Sequence, residues 1–149
     1  MTRAAAVDAK VCVDATFGPP PLQDLLEYAD AVIHSATKFF GGHSDVLAGV
    51  VSLKSPELLQ PLLNVQERSG LFPGELECRL LCHSLPTLPV RVLTATASAC
   101  LVADFLTTAP HVVRVYHPSL PSHPRQDLAM PGYAVEATTP LTNHKIDRV

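Results

Sequence analysis

Apolar positions fall into short valine-rich runs early in the chain and into longer leucine- and alanine-rich stretches further on. Residues 10–16, KVCVDAT, form an apolar run that stops at an acid, which suits a buried parallel strand with Asp14 at its carboxyl end. After the prolines at 19–21, the leucines of residues 22–29 (LQDLLEYA) recur at helical spacing and predict a short crossover helix. Ala31–Ser35 (AVIHS) predicts a second strand, and the residues after it lead into Gly41 and Gly42, a pair suited to a tight loop. Residues 45–53 (DVLAGVVSL) read as a third strand. Ser55 and Pro56 then open a helix expected over 56–70. Two more helices are predicted over 73–84 and 87–108, with Pro110 just past the second, and a strand over 112–116. From His117 the text turns to proline, serine and histidine, and residues 130–149 show no periodicity, as in a loose tail.

Strands alternating with helices predict an α/β domain with a largely parallel sheet, in which ligands gather outside the carboxyl ends of the strands. Asp14 and Ser35 both fall at such ends. At 149 residues and 47% apolar content the chain has material for one core. A net charge of −3 with scattered Lys and Arg predicts no nucleic-acid partner. The sequence lacks an unbroken apolar run of about eighteen residues and a signal-peptide pattern, so no membrane partner and a cytoplasmic location are the expectations. The four cysteines, Cys12, Cys78, Cys82 and Cys100, are expected as reduced thiols. Cys78 and Cys82 share a helical face beside His83, which raises a small metal or redox protein as a third reading. No second ligand pair stands at zinc spacing, so no metal is expected.

The chemistry concentrates around HSATKFFGGHSD, residues 34–45. A lysine directly after a buried strand is expected to be partly desolvated, and desolvation favours the neutral amine that condenses with an aldehyde to a Schiff base. Ser35 and Thr37 offer hydroxyl donors of the kind that hold a phosphate. Asp14 could keep a pyridine nitrogen protonated, so that the ring draws electrons from a substrate carbanion. Lys38, Ser35, Thr37 and Asp14 together form a minimal kit for pyridoxal 5'-phosphate. His34 and His43 flank the lysine and are expected as satisfied buried histidines.

VDATFGPPPLQD followed by ADAVIHSATKFFGGHSDVLAGVV resembles the Cys/Met metabolism family of pyridoxal-phosphate enzymes, which includes cystathionine γ-synthase, γ-lyase and β-lyase. The wording looks most like fungal cystathionine γ-synthase-like members. The resemblance implies part of the large domain of a fold type I, aspartate-aminotransferase-like enzyme. It matches Lys38 to the catalytic lysine that carries the cofactor, Asp14 to the partner of the ring nitrogen, Ser35 and Thr37 to phosphate ligands, and Thr16 to a residue facing the cofactor. The implied activity is β- or γ-elimination or replacement on a small amino-acid substrate, in sulfur amino-acid metabolism, by a homo-oligomer when the protein is full length.

The same comparison divides the chain into a partial cofactor-binding domain over 1–116, a link over 117–129 and an off-family tail over 130–149. Family members carry a glycine-containing phosphate loop and a stacking tyrosine before the Asp motif, for which residues 1–11 leave no room, and a carboxylate-binding arginine further on. One residue, usually a glycine before the Ala-Asp pair, is missing between Asp14 and Lys38, and Pro86 replaces a family backbone donor. An inactive, truncated remnant that at most associates with a full-length homologue is therefore the alternative expectation.

Overall fold

A computed structural model describes residue 7 and residues 9–127. The described residues group into two compact units, divided between Thr94 and Ala95. The first holds a three-stranded sheet in the order β1-β2-β3, with β1 Cys12–Asp14, β2 Ala31–Ser35 and β3 Gly49–Leu53. β1 and β2 are parallel, with Val13 opposite Val32 and Asp14 opposite Ile33. β2 and β3 are antiparallel, with Ile33 opposite Val51 and Ser35 opposite Gly49.

Side chains alternate between the faces of a strand, so this register sorts the sheet into two surfaces. Val13, Val32 and His34 lie on one face. There Val32 joins Ala15 and Ala29 in a buried cluster against which Val11, Val13, Leu25 and Leu26 pack. Cys12, Asp14, Ile33 and Val51 lie on the other face and are exposed. The connection from β1 to β2 is fastened by Asp30, whose carboxylate accepts the Val11 N–H at 2.8 Å and whose carbonyl accepts the Lys54 N–H at 3.0 Å.

Beyond β3, Ser55 caps a 3-10 turn over Pro56–Leu58 that runs into α1, Leu59–Ser69. Gly70, at φ 65, ends α1 in the left-handed conformation a glycine takes without strain. α2, Glu75–Ser84, begins with Glu77 and Glu75 in its first turn, where acids favour the helix dipole. A 3-10 turn over Leu85–Thr87 leads into α3, Leu88–Thr108. Pro86 and Pro89 stand in opening turns, where a missing N–H costs little. The helical stretch Glu75–Thr108 contains a window of mean hydropathy 1.4, long and apolar enough by composition to cross a membrane, and 11% of that window is buried.

Several expectations differ from the structure. Residues 22–29 form turns, not a crossover helix: Leu25 O accepts both Tyr28 N and Ala29 N, and Asp24 caps Leu26 N, so the leucine spacing reports burial of Leu25 and Leu26 without a continuing helix. β3 starts at Gly49 rather than 45 and runs against β2, because residues 36–48 hold turns and irregular chain but no crossover helix to carry the chain back to a parallel start. Residues 112–116 are not a strand, for no described strand pairs with them, and Val113 is fully exposed. The loose tail expected over 130–149 lies outside the described residues.

Candidate cofactor site

Parallel strands put their carboxyl ends on one edge, so Asp14 at the end of β1 and Ser35 at the end of β2 come together there. Asp14 sits opposite Ile33, two positions before Ser35, so Asp14 and Ser35 share the exposed face. Thr16 joins the two strand ends: its N–H donates to Asp14 Oδ1 at 2.9 Å, and its Oγ1 accepts the Ser35 N–H at 2.9 Å. The Ser35 and Thr37 hydroxyls meet at 2.6 Å, and the Lys38 N–H donates to Ser35 O at 3.2 Å. Asp14, Thr16, Ser35, Thr37 and Lys38 thus belong to one hydrogen-bonded network, with Thr16 its buried centre at 8% exposure.

Hydrogen bonding holds the Asp14 carboxyl below the usual carboxylate range, first through the Thr16 hydroxyl and then through the Thr16 N–H. Desolvation opposes this, and the charge of His34 adds a smaller pull downward. Asp14 is therefore a carboxylate at neutral pH, the form needed beside a protonated ring nitrogen.

Lys38 departs from expectation. It is exposed rather than partly desolvated, because it stands in a turn beyond the end of β2, and its ammonium has no hydrogen bond or ion pair among the described residues. His34 is buried as expected, with its ring 4.9 Å from that of Phe40, but its Nδ1 has no hydrogen-bond partner among the described residues. His43 is exposed, contrary to expectation, with Nδ1 2.8 Å from Gly41 O. The cysteines are free thiols, and Cys12, Cys78 and Cys82 are exposed.

Arg91 escaped the sequence reasoning. Its Nη1 donates to Phe39 O at 2.8 Å, one residue beyond Lys38. The available signal was an arginine in the otherwise apolar segment TLPVRV. The residues present suit the cofactor's polar ends: paired hydroxyls for a phosphate, a carboxylate for the ring nitrogen, and an exposed amine.

The sequence model of the family described as Cys/Met metabolism PLP-dependent enzyme matches residues 1–137. The chain belongs to that family. Among the family's curated members, a cystathionine gamma-synthase of Mycobacterium tuberculosis is 43% identical over 122 residues, covering 81% of this chain and 31% of that protein. A cystathionine beta-lyase of Lactococcus lactis subsp. lactis is 42% identical, over 85% of this chain and 33% of its own length. The solved cystathionine gamma synthase of Xanthomonas oryzae pv. oryzae in complex with cystathionine superposes with a TM-score of 0.77 at 39% identity, over 85% of this chain and 33% of that one. The chain thus spans about a third of the length of these relatives, and its fold is part of their α/β domain.

Proposed function

We propose that the chain is the lysine-bearing part of the large domain of a pyridoxal-phosphate-dependent trans-sulfuration enzyme, acting on small sulfur-containing amino acids by β- or γ-elimination or replacement. One observation carries the reading: Asp14, Thr16, Ser35, Thr37 and Lys38 are joined by hydrogen bonds at a single sheet edge. The relatives' names and the cystathionine bound to the Xanthomonas protein support the substrate class. A homo-oligomer and a cytoplasmic location complete the proposal. Residues 1–116 supply the cofactor-binding part and 117–129 the link.

In this reading the Ser35 and Thr37 hydroxyls bind the phosphate, and Asp14, kept ionised by Thr16, holds the proton on the ring nitrogen. Bound cofactor would supply an electron sink for the substrate carbanion. Lys38 Nζ would hold the cofactor at rest and, once released by the substrate's amine, accept and return the α-proton. Its exposed position leaves that nitrogen open to both partners. The test is to incubate the purified chain with pyridoxal phosphate, reduce with borohydride and map the modified peptide by mass spectrometry. A tag on Lys38 is expected, and a tag absent from Lys38 would overturn the assignment.

A second reading, an inactive remnant that associates with a full-length family member, is favoured by the open sheet face. Ile33 and Val51 there are 38% and 41% exposed, where a sheet of this class is ordinarily covered on both faces. Aggregation of the purified chain, or its retention by a full-length homologue, supports this reading. A stable, monodisperse monomer rules against it.

A further inference from the structure

We propose that Arg91 is the positioning residue of the Lys38 turn, holding the backbone from which the lysine projects. The inference rests on Lys38 being the cofactor lysine. Its support is a set of bonds independent of any ligand.

Past β2 the chain makes a helix-like turn, in which Gly41 N donates to Ala36 O at 2.8 Å and Gly42 N to Lys38 O at 2.7 Å. The carbonyls of Phe39 and Phe40 take their donors from Arg91. Nη1 reaches Phe39 O at 2.8 Å and Nη2 reaches Phe40 O at 3.4 Å, as a cation does at the last carbonyls of a helix. The other side of the same guanidinium is anchored, with Nη2 donating to Ser84 O at 3.2 Å and Nε to Thr87 Oγ1 at 3.0 Å. Thr87 is itself fixed, its hydroxyl donating to Ser84 O at 2.9 Å. Arg91 therefore ties the Lys38 turn to the junction between α2 and α3.

Two further features fit this role. Gly42, at φ +79, leaves the space the guanidinium occupies, and a Cβ there would collide with Arg91 Nη1. Among the described residues the recorded ion pair joins Lys10 and Asp30, so Arg91 directs its charge to carbonyls rather than to a carboxylate. Among the described residues the Lys38 side chain has no hydrogen bond or ion pair, so the point and direction from which it leaves the chain are set by its backbone. The carbonyl bonded at 2.8 Å belongs to the very next residue.

A lysine at 91 offers one point of donation in place of a planar fork, and it cannot span Phe39, Phe40 and Thr87 together. The experiment measures amide hydrogen exchange of the full chain in the parent, Arg91→Ala, Arg91→Lys and Thr87→Val. Arg91→Ala is expected to speed exchange at Gly41 and Gly42 by about tenfold or more while β2 and β3 stay as in the parent. Arg91→Lys and Thr87→Val should fall between. In parallel, pyridoxal-phosphate tagging of Lys38, relative to Lys10 and Lys54, should drop in Arg91→Ala and partly recover in Arg91→Lys. Unchanged exchange at Gly41 and Gly42, or an equal rise throughout the sheet, overturns the proposal. Should Arg91→Ala fail to fold, Thr87→Val and Arg91→Lys decide it by the same criteria. A parent chain untagged at Lys38 would instead remove the cofactor reading, and the exchange data would still decide whether Arg91 holds the turn.

Discussion

On one face of the sheet Val32 and His34 are each 4% exposed; Leu25 and Leu26 pack against the cluster that holds Val32, and the Phe40 ring lies 4.9 Å from that of His34. On the other, Ile33 and Val51 are 38% and 41% exposed, although both are as apolar as their covered neighbours. The contrast lies in what lies over the sheet, not in the strands. The turns between β1 and β2 supply the cover for the first face, whereas nothing among the described residues of this unit does so for the second. Asp14 and Ser35 point to the uncovered side. A layer that buried Ile33 and Val51 would therefore also screen the site from water, which strengthens electrostatic interactions within it.

The largest effect that can test this asymmetry comes from placing the same charge on either face. Val32→Asp would leave an unpaired carboxylate in the covered cluster and should cost about 3–5 kcal/mol. Val51→Asp, on the open face, should cost no more than about 1 kcal/mol. Urea unfolding followed by circular dichroism measures both. Similar losses at the two positions would mean that the faces are equally covered in solution.

A smaller effect separates the knitted site edge from the helical region. Gly42 and Gly70 both take positive φ, at 79 and 65, but nothing lies within 4 Å of a Cβ at Gly70. Gly70→Ala should cost about 1 kcal/mol for the backbone alone. Gly42→Ala should cost about 2 kcal/mol, because it also displaces the Arg91 guanidinium from its acceptors. Equal costs in the same unfolding assay would mean that Arg91 is loosely held.

The sequence exposed some of this arrangement and concealed the rest for identifiable reasons. β2 occupies the residues predicted, since an apolar run bounded by polar residues and turns has few other solutions. The candidates Asp14, Ser35, Thr37 and Lys38 could be picked out, and their gathering at one sheet edge foreseen, because each falls at or just past a strand's carboxyl end. The antiparallel course of β3 was not, for strand periodicity carries no direction. Leu25 and Leu26 imitated a helix, because burial at helical spacing needs only one turn of backbone. The 112–116 run has strand-like composition, but a strand needs a partner that the local sequence cannot specify. Arg91 was hidden because its acceptors are main-chain carbonyls, which any sequence could have provided.

Lys38 should be nearly silent in stability. Exposed and without a side-chain partner among the described residues, it can be replaced in Lys38→Ala at a change within about 0.5 kcal/mol. That variant should nevertheless lose the borohydride-stable tagging in excess of that at Lys10 and Lys54. A large stability loss on the same substitution would mean that the ammonium has a structural contact in solution, and it would move Lys38 from the chemistry to the scaffold.

The smallest expected effect concerns the ionisation of Asp14 on the open face. Thr16 depresses its folded value below the unfolded one, so whatever stability the carboxylate adds is fully present above the unfolded value of about 3.9. It is lost only as pH falls through the lower, folded value. The difference in urea midpoint between the parent and Asp14→Asn should therefore stay flat from pH 8 to about pH 5 and narrow only below about pH 4. The exposure of Asp14 keeps that difference small. Thr16→Val removes the hydroxyl that contributes most to the depression, so in that background the narrowing should still begin near the unfolded value but be smaller and end at a higher pH. Narrowing that set in near neutrality would show the carboxyl raised rather than lowered. The open face would then be covered in solution by something that desolvates Asp14.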